Sequence, residues 1–171
     1  IVEYAEITNR FAHRKLEFII CTNLTLVDKE MLRYCKKHNI YISTSLDGDK
    51  NIQNRYRKTR DGTDGYGKFL EKLKLARAIL GGDACSPLLT VTKANLKQLN
   101  KVIDHYIGLG FHGVFIRALN PYGYANKNYN KLGYKIEEFI DSYKKALSYI
   151  IQQNLHGVYF EIGRASCRER V

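Results

Sequence analysis

The stretch LEFIICTNLTLVDKEMLRYCKKHNIYISTSLDG, residues 16–48, decides the fold. Leu16-Glu17-Phe18-Ile19-Ile20-Cys21 is a short apolar, β-branched run and reads as a strand. From Thr25 to His38, Leu26, Met31, Leu32 and Cys35 fall on one helical stripe, with Asp28 near its start. Ile40-Tyr41-Ile42-Ser43-Thr44-Ser45-Leu46 is a second strand. A change of hydrophobic period from two to 3.6 and back again is the signature of strands joined by helical crossovers.

The same alternation continues outward. A polar segment from Asp47 to Gly65 leads into a helix from about Tyr66 to Leu80, which Gly81-Gly82 stops. Cys85 to Thr92 reads as a third strand, Leu96 to Leu109 as a helix closed by Gly110, and His112 to Ala118 as a fourth strand. Ile136 to Gln153 is a further helix, and Val158-Tyr159-Phe160 begins a fifth strand. Parallel strands with helical crossovers bury both sheet faces, and five strands do not close a barrel. The fold class is therefore α/β, either an open doubly wound sheet or part of a larger barrel. In both, the site lies at the carboxyl ends of the strands.

Composition agrees. The 171 residues, 44% of them hydrophobic, are enough for one substantial core and no second domain, and exclude disorder. No run of about 18 apolar residues is present, so a membrane span and a membrane partner are excluded. The start Ile1-Val2 lacks the pattern of a signal peptide, which makes the cytoplasm the expected compartment. Cys21, Cys35, Cys85 and Cys167 are scattered singly, without the spacing of a metal site, and read as small apolar residues. The net charge of +11 raises the question of nucleic acid. The charges are dispersed along helical stretches such as Lys68 to Arg77, which is the pattern of a solvated face.

Both ends are unusual. Ile1 to Phe11 already has helical spacing with no capping residue before it, so the chain is expected to open inside a helix. The segment Ile162-Gly163-Arg164-Ala165-Ser166-Cys167-Arg168-Glu169-Arg170-Val171 resembles the conceptual translation of a sequencing-library adapter. Residues 1–161 are accordingly expected to form one partial domain and residues 162–171 a foreign tail. Without the tail's three Arg and one Glu, the 28 basic and 17 acidic residues become 25 and 16, a net of +9.

Polar residues stand at four successive strand ends: Thr22-Asn23-Leu24-Thr25, Ser45-Leu46-Asp47-Gly48, Thr90-Val91-Thr92, and Arg117 through Gly123. Hydroxyls and amides in this position suit a ribose or an amino-acid head group, and Arg57, beyond the second strand, suits a two-pronged contact with a carboxylate. Thr-Asn and Asp-Gly pairs also build caps and turns without binding anything.

These residues carry a resemblance. Thr22 to Leu26, Ser43 to Gly48 and Asn54-Arg55-Tyr56-Arg57 resemble the core of radical S-adenosylmethionine (radical SAM) enzymes, in the peptide-modifying branch that includes the anaerobic sulfatase-maturating enzymes. Thr44 to Gly48 and Phe115 to Tyr124 are most similar to the His-Xaa-Ser system maturases. The resemblance runs from about Leu16 to Tyr124 and implies a fragment of a partial (β/α)6 TIM-like barrel of parallel strands, these being about barrel strands 3 to 6. It implies two cofactors, S-adenosyl-L-methionine (AdoMet) and a [4Fe-4S] cluster. It implies hydrogen abstraction by a 5'-deoxyadenosyl radical from a side chain of a ribosomally made peptide or protein, with an electron donor such as flavodoxin or ferredoxin.

Residue by residue, the resemblance places Ser45 against AdoMet, Arg57 near its carboxylate and Leu119 near the adenine, while Thr22, Asn23 and Asp47 line the same rim. No general base is assigned. The three-cysteine CxxxCxxC loop and the GGEP segment of the family are absent, so cluster ligands are expected in a part preceding this chain and the piece alone is expected to be inactive. Asp49 stands where relatives usually have Pro, and the turn after Gly48 is expected to be less rigid for it. Tyr122, Tyr124, Tyr129 and Tyr134 crowd the stretch after the fourth strand, where packing or a peptide contact explains them.

Two other readings stay open. A nucleotide- or phosphate-binding α/β enzyme lacks its motif here, since no GxGxxG or GxxxxGK[ST] follows a strand. A basic module binding nucleic acid, the less favoured partner, would be held by salt-sensitive phosphate contacts.

Overall fold

Asp28, Asp49 and Asp64 each sit in extended backbone just before a helix, and each carboxylate accepts the N–H three residues on, from Met31, Ile52 and Gly67. These caps satisfy amides that a helix start leaves without partners. They fix where helices α2 (Lys29–Lys37), α3 (Lys50–Tyr56) and α4 (Gly65–Leu80) begin. α1 is Val2–Ala12, and strands β1 (Phe18–Thr22) and β2 (Ile40–Ser45) flank α2. The computed structural model describes residues 1–57, 59 and 62–163. The segment read as a foreign tail thus falls, from Arg164 on, outside the described residues.

The chain continues through β3 (Cys85–Thr90), α5 (Leu99–Gly108), β4 (Gly113–Arg117), the short helices α6 (Tyr124–Lys127) and α7 (Tyr129–Leu132), α8 (Ile136–Leu155) and β5 (Glu161–Ile162). The sheet order is β1-β2-β3-β4-β5 and every pair is parallel. A doubly wound sheet reverses its order at a switch point. Strict sequential order instead keeps every crossover helix on one face, as right-handed barrel connections do. The structure therefore decides between the two architectures in favour of part of a parallel α/β barrel.

One face of the sheet is packed. Ile42, Leu46, Leu89, Val91, Val114 and Ile116 alternate along β2 to β4 and meet Leu32, Phe69, Leu73, Leu99, Val102, Ile103, Ala146 and Ile150 of the helices in one core. At the register positions Ser45↔Leu88, Leu88↔Phe115 and Thr90↔Arg117, the intervening residues share the opposite face.

Several sequence expectations are corrected. Leu26, expected in the apolar stripe, is 82% exposed, because the helix begins only at Lys29, and Met31, inside the helix, is 54% exposed because the buried face is that of Leu32 and Cys35; Leu24, in left-handed backbone (φ 63°), fills the core instead. The fifth strand is Glu161–Ile162 and not Val158 to Phe160. The backbone N–H and carbonyl of Phe160 are taken by the Asn154 side chain (2.7 and 2.9 Å), so pairing with β4 starts one residue later, where Glu161 N–H donates to the His112 carbonyl. Arg77, read as part of a solvated face, donates to the carbonyls of Leu109 (2.5 Å) and Gly110 (3.2 Å) and lies over the Phe111 ring, tying α4 to the turn before β4.

The polar stretch after Asp47 contains α3, and Asp49 is its cap. A proline there would set φ but donate no side-chain acceptor, so Asp49 orders the turn in another way and does not loosen it. Asp49→Ala is expected to cost about 1 kcal/mol, measured as a lower urea midpoint with unchanged slope.

Candidate functional site at the carboxyl ends of the strands

Beyond the last residue of β2 the chain passes Leu46 and Asp47, both buried. Asp47 organises what lies around it. Its backbone N–H donates to Gln53 Oε1 (2.8 Å), and Gln53 in turn donates to the Ser45 carbonyl (3.2 Å), so α3 is folded back onto the end of β2. The Asp47 carboxylate accepts the Thr90 N–H (3.1 Å), which bridges β2 to the end of β3. Arg57, the residue after α3, donates Nε–H to Asp47 Oδ2 (2.5 Å) and lies 3.5 Å through Nη2 from Oδ1.

The two-pronged carboxylate contact expected of Arg57 is therefore made inside the chain. Asp47 is 9% exposed in its side chain and Arg57 33%, so the carboxylate is fixed and the guanidinium reaches the surface with donors to spare. A buried carboxylate needs this kind of partner, since desolvation without one costs several kcal/mol.

Asn95, fully buried, closes the network. Its Nδ2 donates to the carbonyls of Asp47 (3.0 Å) and Thr90 (3.2 Å), and its Oδ1 accepts the Thr92 N–H (2.7 Å). The hydroxyl of Tyr106 in α5, also fully buried, donates to the Leu46 carbonyl, and burial pushes its pKa well above the usual tyrosine range. Three of these contacts, Asp47 with Thr90, Asn95 with Asp47 and Tyr106 with Leu46, join segments far apart in sequence at the rim.

Thr22 and Asn23 end β1 differently. Thr22 Oγ1 accepts the Leu24 N–H (3.2 Å), while Asn23 Oδ1 accepts the N–H (3.2 Å) and hydroxyl (2.9 Å) of Thr25. Their oxygens build the turn that inserts Leu24 into the core. Leu119, half-buried two residues past β4, donates its N–H to the Tyr134 hydroxyl (2.7 Å). Thus Ser45, Asp47 and Arg57 form one bonded group with β3, and Thr22, Asn23 and Leu119 occupy the rim on either side of it.

Gln53, Asn95 and Tyr106 join the site without being singled out in the sequence, whereas Thr90, Arg117 and Tyr134 are read there as part of the rim or of the stretch beside it. Arg117, the last residue of β4 and exposed, donates through Nη2 to Thr90 Oγ1 (3.2 Å). The one available signal was Thr92-Lys93-Ala94-Asn95, where an Asn three residues after a Thr suits a side-chain-closed turn.

A larger cleft, about 650 Å³, lies at the opposite, amino ends of the strands, among Lys15, Tyr41, Asp83, His112 and Glu161. Its charged groups satisfy one another: Lys15 meets Glu17 (3.1 Å), His112 meets Asp83 (2.9 Å) and Tyr159 meets Glu161. The rim is the better site because its groups converge on a buried, fixed network.

Among the described residues no group of His, Cys, Asp and Glu is placed to hold a metal. Cys35 and Cys85 are buried, with burial raising the Cys85 thiol to about 11, and Cys21 is exposed on the edge strand. These three thiols do not fit a [4Fe-4S] cluster, which needs closely placed thiolates. Among the described residues no helix is long and apolar enough to cross a membrane.

No protein-family model and no curated protein matches the chain significantly. Solved structures do. "Native anSMEcpe with bound AdoMet" superposes with a TM-score of 0.74 at 21% identity, over 95% of this chain and 46% of that one. The same protein with AdoMet and the Cp18Cys peptide gives 0.75 at 22%, over 94% and 45%, and with the Kp18Cys peptide 0.76 at 21%, over 95% and 46%. The likeness establishes the fold, part of a parallel α/β barrel like that of those structures, and this chain spans just under half the length of those chains.

Proposed function

We propose that the chain is part of a radical SAM enzyme that modifies a side chain in a peptide or protein, and that its rim supplies one half of the AdoMet pocket. The reading is carried by one observation: Asp47, held by Thr90 N–H and Arg57, fixes a guanidinium at the carboxyl ends of parallel strands with donors left for a further anion. Solved structures of the same fold that bind AdoMet, two of them with peptides, support it.

In this reading Arg57 meets the AdoMet carboxylate as a charge-assisted hydrogen-bond donor, and Ser45, half-buried at the end of β2, donates or accepts at a hydroxyl of the ligand. The Leu119 side chain packs against the adenine, and Thr22 and Asn23 close the edge beside β1. These residues bind and orient, and they cover the ligand against water; none moves a proton. AdoMet bound to a reduced iron–sulfur cluster supplies a carbon radical able to abstract hydrogen. The cluster does not fit the thiols described, so no step of it is assigned to this chain. A His-Xaa-Ser type peptide as substrate, an electron donor such as flavodoxin or ferredoxin, and inactivity of this piece by itself belong to the same proposal.

Calorimetric titration of AdoMet into the protein tests it. Arg57→Ala and Ser45→Ala are each expected to weaken binding about tenfold or more, the loss of a charge-assisted or buried hydrogen bond. Unchanged affinity in both variants rejects the residue assignment.

A further inference from the structure

Between Asp104 and Glu137 the sequence has no acidic residue, yet it contains Arg117, Lys127, Lys131 and Lys135. This segment includes the excursion from the end of β4 to the start of α8. It is anchored over the rim at two points. The Lys93 N–H just past β3 donates to the Leu132 carbonyl (2.9 Å), and the Leu119 N–H donates to Tyr134. The Glu138 carboxylate lies on the N–H of Lys135, which places that lysine next to a negative charge. Arg117, Lys127 and Lys131 are exposed and have no carboxylate partner among the described residues. Between them Tyr122 and Tyr124 are 77% and 70% exposed.

Exposed tyrosines beside an arginine have the composition of a recognition surface, and the lysines next to them add positive charge to it. The potential of the three cations adds, since none of them is paired with a carboxylate among the described residues. Arg117 connects this surface to the site, because its guanidinium is seated on Thr90, whose N–H holds Asp47.

We infer that the excursion from Arg117 to Lys131 is a docking surface for an acidic peptide segment, with Tyr122 and Tyr124 packing on the peptide and the three cations reading its carboxylates. The inference rests on the reading of the rim as a peptide-modifying site and names the class of peptide it accepts: one with aspartate or glutamate beside the modified residue.

The test is fluorescence anisotropy with the 171-residue chain and two labelled peptides, one rich in Asp and Glu and its Asn/Gln counterpart. The acidic peptide is expected to bind about tenfold tighter or more, and the preference to shrink with added salt. The double variant Lys127→Glu/Lys131→Glu, and separately Arg117→Ala, are expected to lower acidic-peptide affinity about tenfold, while Arg117→Lys retains most of it. Lys68→Glu/Lys74→Glu on α4 makes the same change in net charge away from the surface and is expected to leave affinity within about twofold. An equal loss in that control, equal binding of the two peptides, or tighter binding of single-stranded RNA overturns the inference. AdoMet affinity, measured in Lys127→Glu/Lys131→Glu, separates the two proposals: it stays unchanged if only the docking surface is altered, and its absence in the unaltered chain counts against the rim alone.

Discussion

Asp47→Ala is expected to destabilise the chain by about 3–5 kcal/mol, the usual cost of removing one member of a buried, hydrogen-bonded ion pair. The change leaves the Thr90 N–H without an acceptor and the Arg57 guanidinium against a half-closed, uncompensated surface. It is read from the urea midpoint, with circular dichroism confirming that a folded baseline exists. Arg57→Ala is expected to cost much less, because a third of that side chain is exposed and water replaces part of what it gives. A loss in Asp47→Ala no larger than in Arg57→Ala would mean that the carboxylate is not the organising group.

Asn95→Leu is expected to cost about 3 kcal/mol, from the Thr92 N–H and the carbonyls of Asp47 and Thr90 left without this partner. The double variant with Asp47→Ala should cost less than the sum, with a coupling of about 1–2 kcal/mol, because both side chains hold Thr90, Asp47 by its N–H and Asn95 by its carbonyl. Strict additivity would show that the strand ends are held independently.

Local features were legible in the sequence. Asp28 before a helical stripe, Gly81 with its positive φ after Leu80, and the alternation of strand and helix periods are all set by neighbours within a few residues. The choice of a barrel over a doubly wound sheet came from the resemblance alone, because it depends on which strands become neighbours, and periodicity is silent on that. The site was half legible. Polar residues at strand ends marked the rim, but the partner Arg57 has inside the chain, Asp47, was not foreseen, since an arginine placed to meet a carboxylate does not say whose. Asn95 reaches Asp47 across 48 residues, and Gln53 looked like one polar residue among many in the stretch after Gly48. Phe160 looked like a strand residue by its side chain and was withdrawn from the ladder by Asn154.

The most direct measurement is a map of backbone amide chemical shifts as AdoMet is titrated into the chain. The account predicts shifts gathered at Ser45, Asp47, Arg57, Thr90 and Leu119, the carboxyl ends of β2 to β4, and little change at Tyr41, His112 and Glu161. Shifts centred on those three residues at the amino ends, or a saturated complex in which the rim amides have not moved, would contradict it.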